Sequence, residues 1–181
     1  MRTATRFLVA LAIVLPAMGP TQAQTQARLV PDYGKYTEIT DPFEKPDPAL
    51  RYRVVFEVSQ AARVPGEVHQ SLERVARMVN LLGRHGVKLQ PGDIVVTMHG
   101  GGAQTALTPA AFAKRFNGAA NPDAELIRQL TAAGVSVRLC GQSMNSRGYT
   151  RDELNPDVKV DVAAITTMAT LQLRGYAMIQ D

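Results

Sequence analysis

Residues 135–148 read Val-Ser-Val-Arg-Leu-Cys-Gly-Gln-Ser-Met-Asn-Ser-Arg-Gly. Val135, Val137 and Leu139 alternate, which predicts a short strand running straight into Cys140, the single cysteine of the chain. Gly141 frees the backbone to turn, and Gln142–Arg147 has room for a helical turn before Gly148 stops it. A thiol where a strand feeds a helix N-terminus meets unsatisfied N–H groups and the positive end of the helix dipole. Both favour the thiolate. The same residue equally fits a small buried hydrophobe that closes a core strand. The stretch therefore fixes a strand–turn–helix unit and leaves two roles open for its cysteine.

The same alternation of element types extends outward in both directions. Upstream, Tyr52–Val58 and Ile94–Met98 read as apolar strands. Between them Val68, Leu72, Val75, Val79 and Leu82 recur at helical spacing and predict a helix over Gly66–His85, stopped by Gly86. Thr108-Pro109 and Asn121-Pro122 each set a capping side chain before a proline and predict two helix starts. Their apolar sides carry Phe112 and Phe116 in the first, and Leu126, Ile127 and Leu130 in the second. Downstream, Thr150–Glu153 matches a capping box and Lys159–Ala163 reads as a short strand. A helix with Ile165, Met168 and Leu171 on its apolar side follows, and Tyr176–Ile179 forms a last strand. Strands alternating with helices predict an α/β fold: a three-layer α/β/α sandwich with a mostly parallel sheet of about five strands. Such sheets bind ligands at the carboxyl ends of their strands, where both His99 and Cys140 fall.

Composition sets the frame around this domain. Apolar residues make up 45% and charged residues 20%, with a net charge of +4 and acids and bases interspersed. No basic run with interleaved aromatics is present, so no nucleic-acid partner is expected. One cysteine rules out an internal disulfide framework. Residues 1–23 read as an export signal: Arg2 and Arg6 lead, Phe7–Ala17 is apolar, and Thr21-Gln22-Ala23 offers a small-x-small cleavage site. A second such site is Thr25-Gln26-Ala27. The apolar run is shorter than the roughly 20 residues of a membrane span. The mature protein is therefore expected to be periplasmic or secreted, with no stable membrane span. Residues 24–50, with Pro31, Pro42, Pro46 and Pro48, read as an irregular arm that Tyr33, Tyr36 and Phe43 would anchor, and residues 51–181 as the α/β domain.

His99-Gly-Gly-Gly102 resembles the oxyanion loop of esterases, but the chain has no Gly-x-Ser-x-Gly nucleophile elbow. Gly100 and Gly101 instead either let the backbone approach a ligand or make a tight turn. Ser59-Gln60-Ala61-Ala62 stands where a dinucleotide site would need its glycines, so no nucleotide cofactor is expected. His99 and Cys140 would lack the third and fourth ligands of a zinc site, so no metal is expected either. His69 and His85 read as solvated helix residues. Asn145, Arg147 and Arg151 either hold an anion near the thiol or bridge salt at the surface.

Several stretches resemble the DsrE/DsrF-like family: Tyr52–Val58, Val75–Leu81, Ile94–Gly100, Glu125–Ile127, Leu139–Ser143 and Arg147-Gly148. The strand-Cys-Gly-Gln-Ser run is the most specific of these, and the likeness spans about Arg51 to the end of the chain. The resemblance implies a small α/β sulfur-handling protein that assembles as a homo-oligomer, a trimer or hexamer. It also implies a persulfide carried on Cys140 between sulfur donor and acceptor proteins. His99 would then be an acid/base neighbour, with Gly100, Gly101, Gly141, Gln142, Ser143 and Arg147 as binding residues. The export signal departs from the cytoplasmic relay members, and Gly-Gln-Ser after the cysteine is closer to another branch. A non-catalytic oligomeric subunit that binds a small anion or sulfur species, with Cys140 structural, is the competing expectation.

Overall fold

The computed structural model describes residues 28–181. The export signal expected at 1–23 lies outside the described residues. Five strands form one sheet: β1 (Val54–Val58), β2 (Ile94–Met98), β3 (Ser136–Cys140), β4 (Lys159–Asp161) and β5 (Ala177–Ile179). Their order is β4-β3-β2-β1-β5, and every pair is parallel. All five carboxyl ends therefore leave the sheet along one edge. This is the three-layer α/β architecture that the alternation of elements predicts.

Two helices lie on one face. α1 (Gln70–Arg84) and α3 (Ala124–Ala132) bring Leu72, Val75, Val79, Leu82, Leu126, Ile127 and Leu130 against Val54, Phe56, Val96, Met98, Val137 and Leu139. These positions are buried, as their helical spacing requires. On the opposite face only Val55, Val95 and Leu171 form a buried apolar cluster, beneath α5 (Ala164–Leu173). Apart from Met178 and Cys140, the sheet positions there are largely polar, among them Glu57, Thr97, Ser136, Arg138 and Asp161. One face is a full core and the other is a partly covered polar surface.

Several local expectations are corrected. α1 begins at Gln70 rather than Gly66, because His69 is its N-cap. His69 is fully buried, not solvated: Nδ1 accepts the Ser71 N–H at 3.1 Å and Nε2 lies 2.9 Å from the Gln60 carbonyl oxygen. α2 (Pro109–Arg115) starts after Thr108, whose hydroxyl accepts the Ala111 N–H. α3 starts two residues later than Asn121-Pro122 predicts. Asn121 turns inward and donates to the Thr105 and Leu107 carbonyls, and Asp123 becomes the N-cap. In α5 the inward positions are Ala164, Thr167 and Leu171, and Ile165 is 75% exposed. Thr167 donates to Asp161 at 2.8 Å, which sets the helix register.

The arm carries neither helix nor strand between Arg28 and Leu50. Its deepest anchor is Val30, and of the aromatic residues Tyr33 also packs against the core. Val30 is fully buried, and Asn80 binds the Val30 N–H and the carbonyls of Val30, Tyr33 and Gly34. Gly34 sits at φ +63° so close to α1 that a Cβ would overlap the Ala76 backbone. Phe43 is fully exposed. No helix among the described residues is long and apolar enough to cross a membrane.

Candidate functional site

Where neighbouring parallel strands send their connections to opposite faces, a crevice opens at their carboxyl ends. That occurs here between β3 and β4. β3 leads into α4 (Gly141–Ser146), whose Met144 packs on the α1/α3 face, whereas β4 leads into α5 on the other face. Cys140 stands opposite Asp161 at this junction. The cysteine therefore lies at the junction where successive connections change face.

Cys140 is the N-cap of α4 and makes no side-chain capping hydrogen bond, and the N–H of Ala164, the first residue of α5, is among the groups that favour its thiolate. Burial pushes the thiol up, since the residue is only 5% exposed. The N–H groups of Ala164, Ser143 and Gln142 and the Ser143 hydroxyl push it down and prevail, so the thiol is held below its ordinary value. Ala163, the N-cap of α5, offers no capping side chain. Groups at the starts of both α4 and α5 favour the Cys140 thiolate.

Gly141 has a different role from the one its sequence position suggests. Its φ is not positive, so the turn does not depend on glycine's freedom. A Cβ there would instead lie 2.7 Å from the Asp161 carbonyl oxygen and 3.3 Å from that of Val162. Only glycine lets α4 start this close to the end of β4. Gln142 reinforces the junction by donating from Nε2 to the Val162 carbonyl at 3.2 Å.

Ser143 ties the thiol to the glycine loop. Its hydroxyl oxygen accepts the Gly100 N–H at 3.2 Å while the hydroxyl also serves the sulfur. Gly100–Ala106 forms a 3-10 turn, and Gly101 and Gly102 are packed against β1's continuation. A Cβ on Gly101 would lie 2.5 Å from the Ala61 nitrogen, and one on Gly102 would overlap the Val58 carbonyl oxygen. Close packing accounts for both glycines without a ligand.

His99 follows β2, next to β3, so the strand ends carrying His99 and Cys140 do stand side by side. Its Nε2, however, pairs with a Glu57 carboxylate oxygen on β1, away from β3. Arg147 is exposed at the end of α4, and its cation is not among the groups acting on the thiol. The cation packed behind α4 is Arg115, which stacks 4.7 Å over Tyr149 and pairs with Glu153. Among the described residues no group of three or more His, Cys, Asp or Glu side chains could hold a metal. The structure places Cys140, Gly141, Gln142, Ser143 and Gly100 together. Sequence reading misses Ala164, twenty-four positions away, because only the strand order places α5 at the sulfur.

A family model described as DsrE/DsrF-like matches residues 53–180. The chain belongs to the DsrE/DsrF-like family. The matched span includes every strand and the whole of the Cys140 site. No curated protein matches the chain. Among solved structures, the protein of unknown function MTH1491 from Methanobacterium thermoautotrophicum is 19% identical with a TM-score of 0.56. The ychN protein from E. coli is 17% identical with a TM-score of 0.53. Each alignment covers 72% of this chain and 99% of the other. At such identities these likenesses establish a shared fold.

Proposed function

We propose that this DsrE-family protein is an exported thiol sulfur carrier that accepts sulfane sulfur on Cys140 and hands it to a second protein. The observation that carries the reading is the place of Cys140 at the N-cap of α4 and opposite the end of β4, where the Ala164, Ser143 and Gln142 N–H groups and the Ser143 hydroxyl favour its thiolate. In the first step the Cys140 thiolate attacks the sulfane sulfur of a donor X–S. The new S–S bond forms as the X–S bond breaks, and X leaves with its electron pair. In the second step an acceptor thiolate attacks the outer sulfur of the persulfide. The S–S bond breaks and Cys140 departs as the thiolate, so the carrier is neither oxidised nor reduced over the cycle. The donors that stabilise the thiolate make it both available at neutral pH and a good leaving group.

The carrier reading includes a homo-oligomer, a trimer or hexamer. Its support is the thinly covered face of the sheet, where Val162, Ile165 and Leu173 on or beside α5 are 77%, 75% and 90% exposed. A second copy seated there would bury these side chains. Sedimentation equilibrium giving only monomer at micromolar concentration would remove that part of the proposal.

The test of the carrier is intact mass under non-reducing conditions after incubation with a polysulfide donor. One added sulfur atom that dithiothreitol removes is expected, with none on Cys140→Ser. A protein that binds the sulfur species but never gains the atom, with binding retained in Cys140→Ser, would instead make it a binding subunit with a structural cysteine.

A further inference from the structure

A second set of anion-directed donors lies at the other side of the sheet edge, where β1 and β5 end together. Val54–Phe56 pair in parallel with Ala177–Ile179, so the two chains leave the sheet as neighbours. β1 continues into Ser59-Gln60 and β5 into Gln180-Asp181. There one Asp181 carboxylate oxygen accepts the N–H groups of Ser59 and Gln60, at 2.8 and 3.0 Å. The other accepts the Ser59 hydroxyl at 2.7 Å. Successive N–H groups converging with a hydroxyl make an anion-binding concavity. A side chain of the protein's own fills it.

This concavity opens on a cleft of about 520 Å³ whose walls carry Arg63, Arg74 and Arg77. None of the three has a carboxylate ion-pair partner among the described residues. Arg74 and Arg77 spend hydrogen bonds on the backbone carbonyls of Gln180 and Lys35. Facing them are two acids, Asp181 and Glu73, and Glu73 is already engaged by the Gly34 N–H at 2.7 Å. Among the side chains lining the cleft, three cations face two acids.

A third observation is independent of charge. Ser71, in the first turn of α1, lines the same cleft and is 2% exposed, and its hydroxyl has no hydrogen-bond partner. Its backbone N–H is taken by His69, so the hydroxyl is not held in reserve for the helix cap. A buried hydroxyl left unpaired is destabilising unless something else engages it. An oxygen-rich anion in the cleft would do so, with the amino end of α1 adding its dipole.

We infer that the cleft between Ser59-Gln60 and the first turn of α1 is a binding site for a small tetrahedral oxyanion, with the Asp181 carboxylate as an internal ligand that the oxyanion displaces. The Ser59 and Gln60 donors engage two oxygens of the ligand as they engage the two of Asp181. A third oxygen then meets Ser71 and the arginine wall. Because the occupant is tethered, its effective concentration is high and the intact chain binds the free anion weakly. The site stands apart from sulfur transfer at Cys140 and does not depend on it.

The experiment is titration calorimetry of the full chain with thiosulfate, and separately with phosphate, at low ionic strength. Asp181→Ala is expected to bind at least one of the two about tenfold or more tightly than the unaltered chain. Adding Arg74→Gln to Asp181→Ala is expected to reverse that gain, and Cys140→Ser to leave it unchanged. The ratio of the two affinities assigns the site to a sulfur or a phosphorus oxyanion. Equal or weaker binding in Asp181→Ala, binding indifferent to Arg74→Gln, or binding lost in Cys140→Ser overturns the inference. If Asp181→Ala does not fold, Asp181→Asn carries the same test, since the amide removes the charge and keeps an acceptor.

Discussion

The imidazole of His99 pairs with Glu57, Nε2 to carboxylate oxygen at 2.9 Å, across β2 from the strand that ends in Cys140. The histidine is thus tied to the far side of its own strand, and the hydroxyl of Ser143 serves the sulfur instead. His99→Ala is expected to change the rate of Cys140 alkylation at pH 7 by less than about twofold. Ser143→Ala removes the hydroxyl that favours the thiolate and should raise the thiol pKa. Iodoacetamide labelling followed by mass spectrometry compares the two variants. A larger loss for His99→Ala than for Ser143→Ala would return the histidine to the thiol's immediate circle.

Gly141 and Asp161 make the second prediction. A methyl group at Gly141 would stand 2.7 Å from the Asp161 carbonyl oxygen, and backbone rather than a flexible side chain would have to give way. Gly141→Ala is expected to push the end of β4, and with it the start of α5, away from the sulfur. The Ala164 N–H is then lost to the thiol, whose pKa rises even though no hydrogen-bonding side chain near it has changed. Overpacking of this kind typically costs about 1–3 kcal/mol. The check is a lower thermal midpoint together with an upward shift of the alkylation inflection. A destabilised variant with an unshifted inflection would show that Ala164 contributes nothing.

What the sequence carried, it carried through local rules. Leu72, Val75, Val79 and Leu82 are buried because their spacing is the period of the helix. Thr108 caps α2 because the residue type and the following proline specify it. What escaped depends on elements distant along the chain. His69 looked like one more polar residue at the start of an amphipathic helix, yet Gln60 on one side and the cap on the other make it a buried structural group. Ile165 looked inward-facing from its apolarity, but the Thr167–Asp161 hydrogen bond and the scarcity of core beneath α5 turned it out. Gly141 was legible as a glycine needed at the site, but its reason, the carbonyl of a later strand, was not.

Asp123 supplies a prediction about pH. Its carboxylate is buried and accepts the His69 N–H at 2.7 Å, joining the starts of α1 and α3. Burial pushes its pKa up to about 6, against the lowering effect of the His69 hydrogen bond and charge. A folded-state pKa above the unfolded value of about 3.9 means that the fold prefers the protonated acid. This contribution is fully present below pH 4 and is lost as pH rises through 6. A gap of about two units corresponds to at most roughly 3 kcal/mol. Asp123→Asn keeps an acceptor for His69 and removes the titration, so chemical denaturation at pH 4, 5, 6 and 7 should show a smaller decline across that window than in the unaltered chain. An unchanged decline would place the titrating group elsewhere.

The arm gives a prediction about stability and protease access. Asn80 makes four hydrogen bonds to the backbone of Val30, Tyr33 and Gly34. Among the described residues of the arm, limited proteolysis of the unaltered chain is therefore expected to cut first in the exposed, proline-rich residues 38–50 rather than at 30–35. Asn80→Ala leaves buried arm groups without partners, a loss of about 1–3 kcal/mol. It should open new cuts between Val30 and Lys35 and lower the thermal midpoint by several degrees. Identical cleavage maps for the two proteins would mean that Val30 alone holds the arm.

The thiol itself gives the last prediction, in two independent readouts. Burial opposes ionisation of Cys140, and the donors from α4, α5 and Ser143 favour it and prevail. In the folded protein the alkylation rate should therefore rise with pH through an inflection below the ordinary thiol value of about 8.5. The same shift must appear in stability. With its folded-state pKa lowered, the thiol binds fewer protons in the folded chain than in the unfolded chain between the two values. Stability then increases with pH across that window, is fully gained above the unfolded value, and is lost as pH falls through the folded one. Cys140→Ser lacks this contribution. The difference in unfolding free energy between the unaltered chain and Cys140→Ser should consequently grow from pH 6 to pH 9, under reducing conditions and with the same denaturant. An inflection at or above 8.5 together with a flat difference would mean that burial prevails, and the sulfur-carrier proposal would lose its chemical basis.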